Sequence, residues 1–191
     1  ILNANGNVTV TDKINKYYIT TNKITYKKKD EIIFTSGNSK ASSLNDNILI
    51  YSEDFIYNRK KNIINATKNV TIENQNKDYK IKSNFINYSL KDNRIFSKGK
   101  TTGLIKSKYN FNSEDVTFIK NSMELSSKKK TSFTDKNNFY ELSNFNYSIQ
   151  KEQLKGEDII IKSNYKLPKS DEFYFSSAII DLKNQNFLAK D

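Results

Sequence analysis

The hexapeptide SNFINY, at residues 83–88, has near-copies at regular intervals on both sides of it. Upstream stand TNKITY at 21–26 and SEDFIY at 52–57; downstream stand SEDVTF at 113–118, LSNFNY at 142–147 and, more loosely, SAIIDL at 177–182. The closing residues fall at positions 26, 57, 88, 118, 147 and 182, so the spacing is 29 to 35 residues. Such a period predicts a stack of repeats, each burying its apolar side against its neighbours.

Large apolar or aromatic side chains fill three slots of every copy: the closing position, the position two before it and the position seven before it. Counted in chain order, these slots hold Ile19, Ile24, Tyr26, Ile50, Phe55, Tyr57, Ile81, Ile86, Tyr88, Phe111, Val116, Phe118, Tyr140, Phe145, Tyr147, Phe175, Ile180 and Leu182. A helical period of 3.6 does not account for them better. The step from seven to two is odd, so it would turn a straight strand's apolar row to the wrong face. Thr21, Ser52, Ser83 and Ser113 stand in this gap, and we predict a bulge or corner there.

The rest of each repeat predicts further strands. A polar hairpin loop follows each closing residue, as at Lys27 to Asp30, and a short strand then carries an apolar residue seven positions on. The next strand opens at Gly37, Lys68, Gly99, Lys129 or Gly156, where we expect a positive φ angle.

We therefore predict an all-β fold with about four short antiparallel strands in each repeat. The expected architecture is an elongated twisted β-jelly roll, in which two facing antiparallel sheets form an open, solenoid-like stack of about six repeats. We place them in a single domain, 1–191, with approximate boundaries at 6–36, 37–67, 68–98, 99–128, 129–155 and 156–191. Pro168 marks a loop or sheet edge in the last repeat.

The composition excludes most enzyme chemistry. The chain has no His and no Cys. It therefore lacks the residues of the usual catalytic triads, of thiol nucleophiles, and of zinc or haem sites built on those ligands. Five glycines and no phosphate-loop fingerprint argue against a nucleotide site. The carboxylate pairs Glu53–Asp54 and Glu114–Asp115 share one variable slot of the repeat, which indicates a solvated corner. We predict that the protein is not an enzyme and has no catalytic residue, metal site or cofactor.

The net charge is +11, from 32 Lys and Arg against 21 Asp and Glu. This charge favours anionic partners such as phosphates or membrane head groups, but a Lys-, Asn- and Ile-rich composition also follows from a biased genome. Nucleic acid is an alternative that we do not favour, because the lysines are dispersed and the aromatics sit at apolar slots. No apolar run approaches the ~18 residues of a membrane-spanning helix, so we expect a soluble chain. No leader is recognisable, and we expect a removed targeting segment or a longer parent chain.

The repeat resembles a known family. GNVTV at residues 6–10, an apolar strand, the S/T-[NED]-x-[IVF]-x-Y motif, a basic hairpin and a further short strand together resemble the OstA-like repeat of lipopolysaccharide transport proteins. The resemblance runs from about Ala4 to Asp191. The family includes the carrier LptA, the inner-membrane LptC and the periplasmic domain of the outer-membrane LptD. FYFSSAIIDLKNQNFLAKD, at residues 173–191, resembles the part of LptD that leads into its barrel, although the cysteines that often join the two are absent.

The resemblance implies lipopolysaccharide transport and outer-membrane assembly in the periplasm, attached to the outer membrane. An apolar trough would shield the acyl chains, and an outer-membrane β-barrel with an LptE-like lipoprotein would receive the lipid. An LptA-like carrier would add a strand at the N-terminal edge, formed by Val8, Thr9 and Val10. The expected trough lining is Ile24, Tyr26, Phe55, Tyr57, Ile86, Tyr88, Val116, Phe118, Phe145 and Tyr147.

Alternatives stay open at this stage. The lining residues could instead fill a closed core, as in a structural β-solenoid or adhesin segment, and the chain could be a free LptA-like carrier. The basic clusters at residues 27–29 and 59–61 share one slot, and either contact phosphate or form solvated loop tips.

Overall fold

The computed structural model describes residues 1–43, 47–76 and 78–190 of the chain. All the regular secondary structure in these ranges is β-strand. The same ranges contain no helix long and apolar enough to span a membrane. The seventeen strands are β1 Leu2–Asp12, β2 Tyr17–Lys27, β3 Ile32–Ser43, β4 Ile48–Asn58, β5 Ile63–Asn74, β6 Tyr79–Ser89, β7 Arg94–Ser97, β8 Lys100–Ile105, β9 Tyr109–Glu114, β10 Thr117–Ile119, β11 Glu124–Ser127, β12 Thr131–Thr134, β13 Phe139–Leu142, β14 Asn144–Ser148, β15 Gln153–Ser163, β16 Asp171–Asp181 and β17 Asn186–Lys190.

The strands form an antiparallel meander folded into two layers. Strands β1 to β6 pair in chain order, as do β15 to β17. Between them, four pairs of short strands take the place of single long ones: β6, for example, pairs with β7 through one half and with β8 through the other. Each long strand or pair of short strands therefore bends once near its middle and lends one half to each layer.

We name the two layers by the residues that pair within them. Layer I contains residues 2–5, 23–27, 32–36, 54–58, 63–67, 85–89, β7, β10, β11, β14, 153–157, 177–181 and β17. Layer II contains residues 8–12, 17–20, 39–43, 48–52, 70–74, 79–83, β8, β9, β12, β13, 159–163 and 171–175. The bends form a corner along one side, and the hairpin turns of both layers lie on the other side, which we call the seam.

Register shifts mark the corner, as the odd spacing of the apolar slots predicts. The ladder skips between Thr20 and Lys23 in β2 and between Tyr51 and Asp54 in β4. Because each skip resets the alternation of the strand, Ile50 and Phe55 both point inwards and are both buried, on either side of the bend. The predicted corner is confirmed.

Buried hydroxyl groups satisfy the backbone that the bends leave unpaired. The Ser52 hydroxyl lies 2.7 Å from the Asp54 carbonyl oxygen and 2.8 Å from that of Thr67, and it accepts the Asp54 N–H at 3.1 Å. Ser113 and Thr131 join their hydroxyls at 2.7 Å at a later bend. A buried carbonyl without a partner is costly, so the recurrent Ser or Thr of the repeat has a structural cause.

The opening position of the repeat has a positive φ in most copies. Gly37 and Gly99 have φ of 80° and 72°, and Lys68 adopts 66° in the same place. Lys129 and Gly156 do not, so the prediction is wrong there. Gly156 is needed for space instead: an added Cβ would lie 2.5 Å from the Asn144 carbonyl oxygen and would also collide with the Leu142 side chain.

The core lies between the layers and consists of their inward rows. Aromatic pairs cross from one layer to the other, with ring centroids 6.1 Å apart for Tyr17 and Tyr57, and 4.6 Å apart for Tyr79 and Phe118. Phe133 of layer II packs at 5.2 Å against Phe145 of layer I. Each contact joins strands that are close together in the meander. The core is therefore a continuous row along the stack and not a central cluster.

The predicted all-β jelly roll is confirmed. The two expected sheets are two layers of one continuous sheet. The expected short strands are joined in pairs as bent strands in β1 to β6, β15 and β16, because the bulges hold the ladder together through the corner, and they are separate strands from β7 to β14. The single domain and the six repeat boundaries stay a prediction.

Candidate functional site

The ten expected lining residues all lie on the inner face of layer I or beside it. Nine of them are buried, at 8% exposure for Ile24 and 3% or less for the others, and Tyr26 is half-buried. They pack against the inward residues of layer II. Over most of the stack the space between the layers is therefore filled by side chains, and their contact with lipid stays a prediction.

The interior opens at its N-terminal end, which we call the mouth. A cavity of about 370 Å³ lies there, lined mainly by apolar side chains from β1 to β3. Its apolar lining comprises Leu2, Ala4, Val8, Val10, Ile24, Tyr26 and Ile33, and its polar rim comprises Asn3, Thr11, Asp12 and Arg59. The volume falls in the range of ligand pockets, about 300–1,000 Å³.

The mouth is open because β1 is an edge strand. Among the described residues β1 pairs only with β2, so one side of its backbone is free. Val8 and Val10 are half-buried and point into the cavity, whereas Thr9 between them is exposed. The three residues of the expected partner edge are thus on an edge strand, and strand addition to its free side stays a prediction.

A buried ion pair closes the seam beside the mouth; we call it the N-terminal latch. Arg59, in the turn between β4 and β5, donates from Nε to Asp12 Oδ2 at 2.9 Å, and Tyr57 donates its hydroxyl to the same oxygen at 3.0 Å. Asp12 ends β1 in layer II, so these bonds join the turn edges of the two layers. Arg59 Nη1 also donates to the Tyr26 hydroxyl at 3.2 Å.

Electrostatics hold the N-terminal latch in its charged form. Burial alone would raise the pKa of Asp12, but the hydrogen bonds from Arg59, Asn15 and Tyr57 outweigh it and keep the pKa below its usual range. Burial and the Asp12 carboxylate together raise the pKa of the Tyr57 hydroxyl, so it stays a proton donor.

A second bridge, the C-terminal latch, crosses the seam further along. Lys106, just after β8, donates to Glu152 Oε1 at 2.8 Å, and the Tyr109 hydroxyl lies 3.0 Å from Glu152 Oε2 and 3.1 Å from the Leu182 carbonyl oxygen. Burial alone would raise the pKa of Glu152, but the hydrogen bonds from Lys106 and Tyr109 outweigh it, so the pKa is lower than usual. The acid and the base have exchanged layers relative to the first latch, which shows that geometry and not sequence identity repeats.

Asn62 Oδ1 and the Tyr147 hydroxyl are buried polar atoms without a hydrogen bond among the described residues, and Tyr147 lies in the interior. The Tyr147 hydroxyl is buried and makes no hydrogen bond to any of the described residues. Burial raises its pKa, so it remains a neutral donor. Leaving such a donor unpaired costs about 1–3 kcal/mol, and a water molecule or the carbonyl group of a guest molecule would satisfy it.

The C-terminal end of the described sheet also has strand edges with apolar side chains. Phe187 of β17 is 45% exposed and lies with its ring centroid 5.0 Å from that of Phe175 and 6.1 Å from that of Phe173. Strand β17 covers only residues 177–181 of β16, so residues 171–175 form an edge in layer II. Both ends therefore present strand edges with apolar side chains beside them.

The candidate carboxylate pairs lie at the corner, as predicted. Asp54 pairs with Lys68 at 2.8 Å, and Glu53 accepts the Asn69 amide at 2.9 Å. Asp115 accepts the Gly99 N–H at 2.8 Å. Within residues 1–43, 47–76 and 78–190 no group of three or more carboxylates gathers as metal ligands.

The sequence reasoning missed both latches. Two signals were available for the first: Arg59 is one of two arginines in a lysine-rich chain, and Asp12 begins the pattern Asp-x-x-Asn, which recurs at residues 135–138 and 181–184. Arginine suits a bidentate partner, and the pattern forms a capped turn in all three places.

Comparison with known proteins gives a likeness in fold. No protein-family model matches the chain, and no curated protein matches it. Solved structures similar to this chain include the crystal structure of LptH, the LptA homologous periplasmic component of the lipopolysaccharide transport device from Pseudomonas aeruginosa. The TM-score is 0.46 and the sequence identity is 11%, with 86% of this chain and 98% of that chain covered. A likeness at this level assigns neither family nor function, so the function rests on the residues and the geometry.

Proposed function

We propose that this protein is a lipopolysaccharide transport module that holds acyl chains between the two layers of its sheet and works in the periplasm. The observation that carries the proposal is the mouth, where the row of apolar side chains that runs the length of the stack becomes accessible. A cavity with apolar walls and a few polar groups at its rim is the shape that binds an alkyl chain. The OstA-like repeat motif supports the same function independently.

The mouth also explains how acyl chains reach a filled interior. An alkyl chain enters first against Ile24 and Tyr26, and it contacts deeper residues such as Phe55 only when the layers separate at the seam. The latches bridge the seam at two places, so separation of the layers between them breaks neither ion pair. The unsatisfied Tyr147 hydroxyl gives a polar group of the lipid a partner inside.

Within the transport path we propose the role of LptD, in outer-membrane assembly: attachment to the outer membrane, receipt of lipopolysaccharide from an LptA-like carrier at β1, and delivery to a β-barrel with its LptE-like lipoprotein. An LptA-like free carrier is the alternative, and an edge strand at each described end of the sheet suits both roles. Co-purification with an outer-membrane barrel from cell envelopes supports the first role, and release with the soluble periplasmic fraction supports the second.

A structural β-solenoid is the second candidate function, because nine of the ten expected lining residues are buried. Photo-crosslinking separates the two functions. We expect p-benzoylphenylalanine at Ile24, on the inner face, to label lipopolysaccharide, and the same group at Tyr18, on the outer face of the same strand, to give no label. Equal labelling at both positions, or none at Ile24, contradicts transport through the interior.

The partner edge has its own test. Successive residues of an edge strand direct their N–H groups to opposite sides. Of the two variants Thr9→Pro and Val10→Pro, one therefore removes a donor at the free edge of β1, and the other removes a donor of the β1–β2 ladder. We expect the variant that keeps the wild-type melting temperature to lose carrier binding. Full carrier binding by that variant rules out strand addition at β1.

A further inference from the structure

Basic side chains are concentrated around the mouth. The second turn of layer I, residues 59–62, carries Arg59 with two lysines and no acid, and each later turn of this layer carries a single lysine. The first turn, residues 28–31, carries Lys28 and Lys29 together with Asp30 and Glu31. Lys27 precedes the first of these turns, and Lys13 and Lys16 lie in the layer II turn on the opposite side of the seam.

Three contacts bring these turns together at one place. Lys60 Nζ donates to the Lys29 carbonyl oxygen at 3.3 Å, and the Arg59 N–H donates to the Glu31 carbonyl oxygen at 3.0 Å, so the two layer I turns touch. The bond from Arg59 to Asp12 adds the layer II turn. Asp12 and Arg59 also line the cavity, so the basic turns adjoin its opening.

Donors remain free at this rim. A guanidinium has five N–H groups, and Arg59 uses three of them, from Nε and Nη2 to Asp12 and from Nη1 to Tyr26. Nη1 also lies 3.9 Å from Glu31 Oε2, which is an ion pair beyond hydrogen-bond distance. The Arg59 side chain is 22% exposed, so the other two N–H groups can reach a ligand. The ammonium groups of Lys28 and Lys61 have no ion-pair partner among the described residues. Asp12 thus fixes the guanidinium at the rim without using all of its donors.

We propose that the mouth is selective for an amphiphile that carries a phosphate or other anionic group next to its alkyl chain. The alkyl chain occupies the apolar cavity, and the anion binds Arg59 and the lysines of the adjoining turns. Arginine binds such oxyanions through two parallel N–H bonds, and the apolar wall beside it strengthens the attraction. This inference rests on the proposed function, since it states which feature of the transported lipid the entrance recognises.

The test compares three probes on the full chain, below their critical micelle concentrations: dodecyl phosphate, dodecyl maltoside and inorganic phosphate. Calorimetry is expected to show dodecyl phosphate binding about tenfold or more tightly than the maltoside, with a preference that falls as salt rises. Inorganic phosphate alone is expected to bind much more weakly. Equal affinity for the two amphiphiles overturns the selectivity, and failure of both to bind overturns the proposed function itself.

Two variants assign the selectivity to the rim. Arg59→Gln is expected to lose most of the preference for dodecyl phosphate and to keep the affinity for dodecyl maltoside. Because this change also breaks the N-terminal latch, the triple change Lys28→Gln, Lys29→Gln and Lys61→Gln provides a second measurement on exposed side chains, with an expected loss of about three- to tenfold for dodecyl phosphate alone. Lys183→Gln, in the last turn of layer I, is the matched control. An equal effect of Lys183→Gln and the triple change, or tight binding of inorganic phosphate alone, contradicts the proposal.

Discussion

Replacing Asp12 by Asn tests how far the seam is held by the N-terminal latch. The Asn oxygen can still accept the Ile14 and Asn15 N–H groups that cap the turn. The amide nitrogen that replaces Oδ2, however, cannot accept from Tyr57, Arg59 or the Asn15 side chain, so three donors lose their acceptor and the guanidinium loses its counter-charge.

The magnitude follows from the burial of the pair. Breaking a buried ion pair costs about 3–5 kcal/mol, and the Asp12 side chain is only 2% exposed. The Arg59 side chain is 22% exposed, so water screens the remaining charge and the low end of that range, about 3 kcal/mol, applies. For a chain of 191 residues this corresponds to a fall in melting temperature of about 6–12 °C.

The chain contains a matched control. Asp135 caps its turn in the same way, through the Asn137 and Asn138 N–H groups, but no arginine reaches it from the other layer. Asp135→Asn is expected to cost about 1 kcal/mol or less, because only the bond from the Asn138 side chain is lost. Circular dichroism melts measure both changes, and hydrogen exchange is expected to place the loss in β1 to β5. Equal falls in the two variants refute the latch as a contributor to stability.

Three further predictions concern the corner, the packing of Gly156 and acid. Ser52→Ala removes a buried hydroxyl that bonds three backbone groups, so the free energy of unfolding from urea melts should fall by about 1–3 kcal/mol. The control Ser132→Ala, at a half-buried position, should change it by no more than about 0.5 kcal/mol. Similar values for the two variants contradict the role of the buried hydroxyls. Gly156→Ala forces a collision with a backbone oxygen and should cost about 3 kcal/mol or more, whereas Gly6→Ala meets no atom within 4 Å and should cost about 1 kcal/mol for its φ of 79°; the reverse order would show that φ and not space matters. The carboxylates of both latches have lowered pKa values in the folded protein. The stability that they contribute is therefore present above the unfolded pKa of about 4 and is lost as the pH falls below it. A melting temperature that does not fall from pH 5 to pH 3 contradicts this.

Much of the fold could be predicted because it depends on periodic, local chemistry. The spacing of Ile50, Phe55 and Tyr57 carries both the inward row and the odd step, and a Ser in that gap is what an unpaired carbonyl at a bend requires. Such information recurs in every copy, so a single sequence contains several independent observations of it.

The rest depends on contacts between distant parts of the chain. Gly156 has the same place in the repeat as Gly37, yet it serves close packing against Leu142 and not a positive φ, and only the neighbouring strands decide which. The pairing of Asp12 with Arg59 spans 47 positions and follows from how the layers fold over each other. The sequence likewise fixes an apolar row without fixing where it opens, because the mouth exists only where β1 has no further neighbour.

Methyl NMR with a spin-labelled lipid tests most directly whether acyl chains lie between the layers. An alkyl chain that carries a nitroxide is expected to broaden the methyl signals of Ile24 and Ile33, which line the mouth at 8% and 4% exposure. The signal of Ile56, which is 41% exposed on the outer face, is expected to stay sharp. Broadening of Ile56 with Ile24 and Ile33 unaffected would place the lipid on the outside of the sheet and contradict the proposed function.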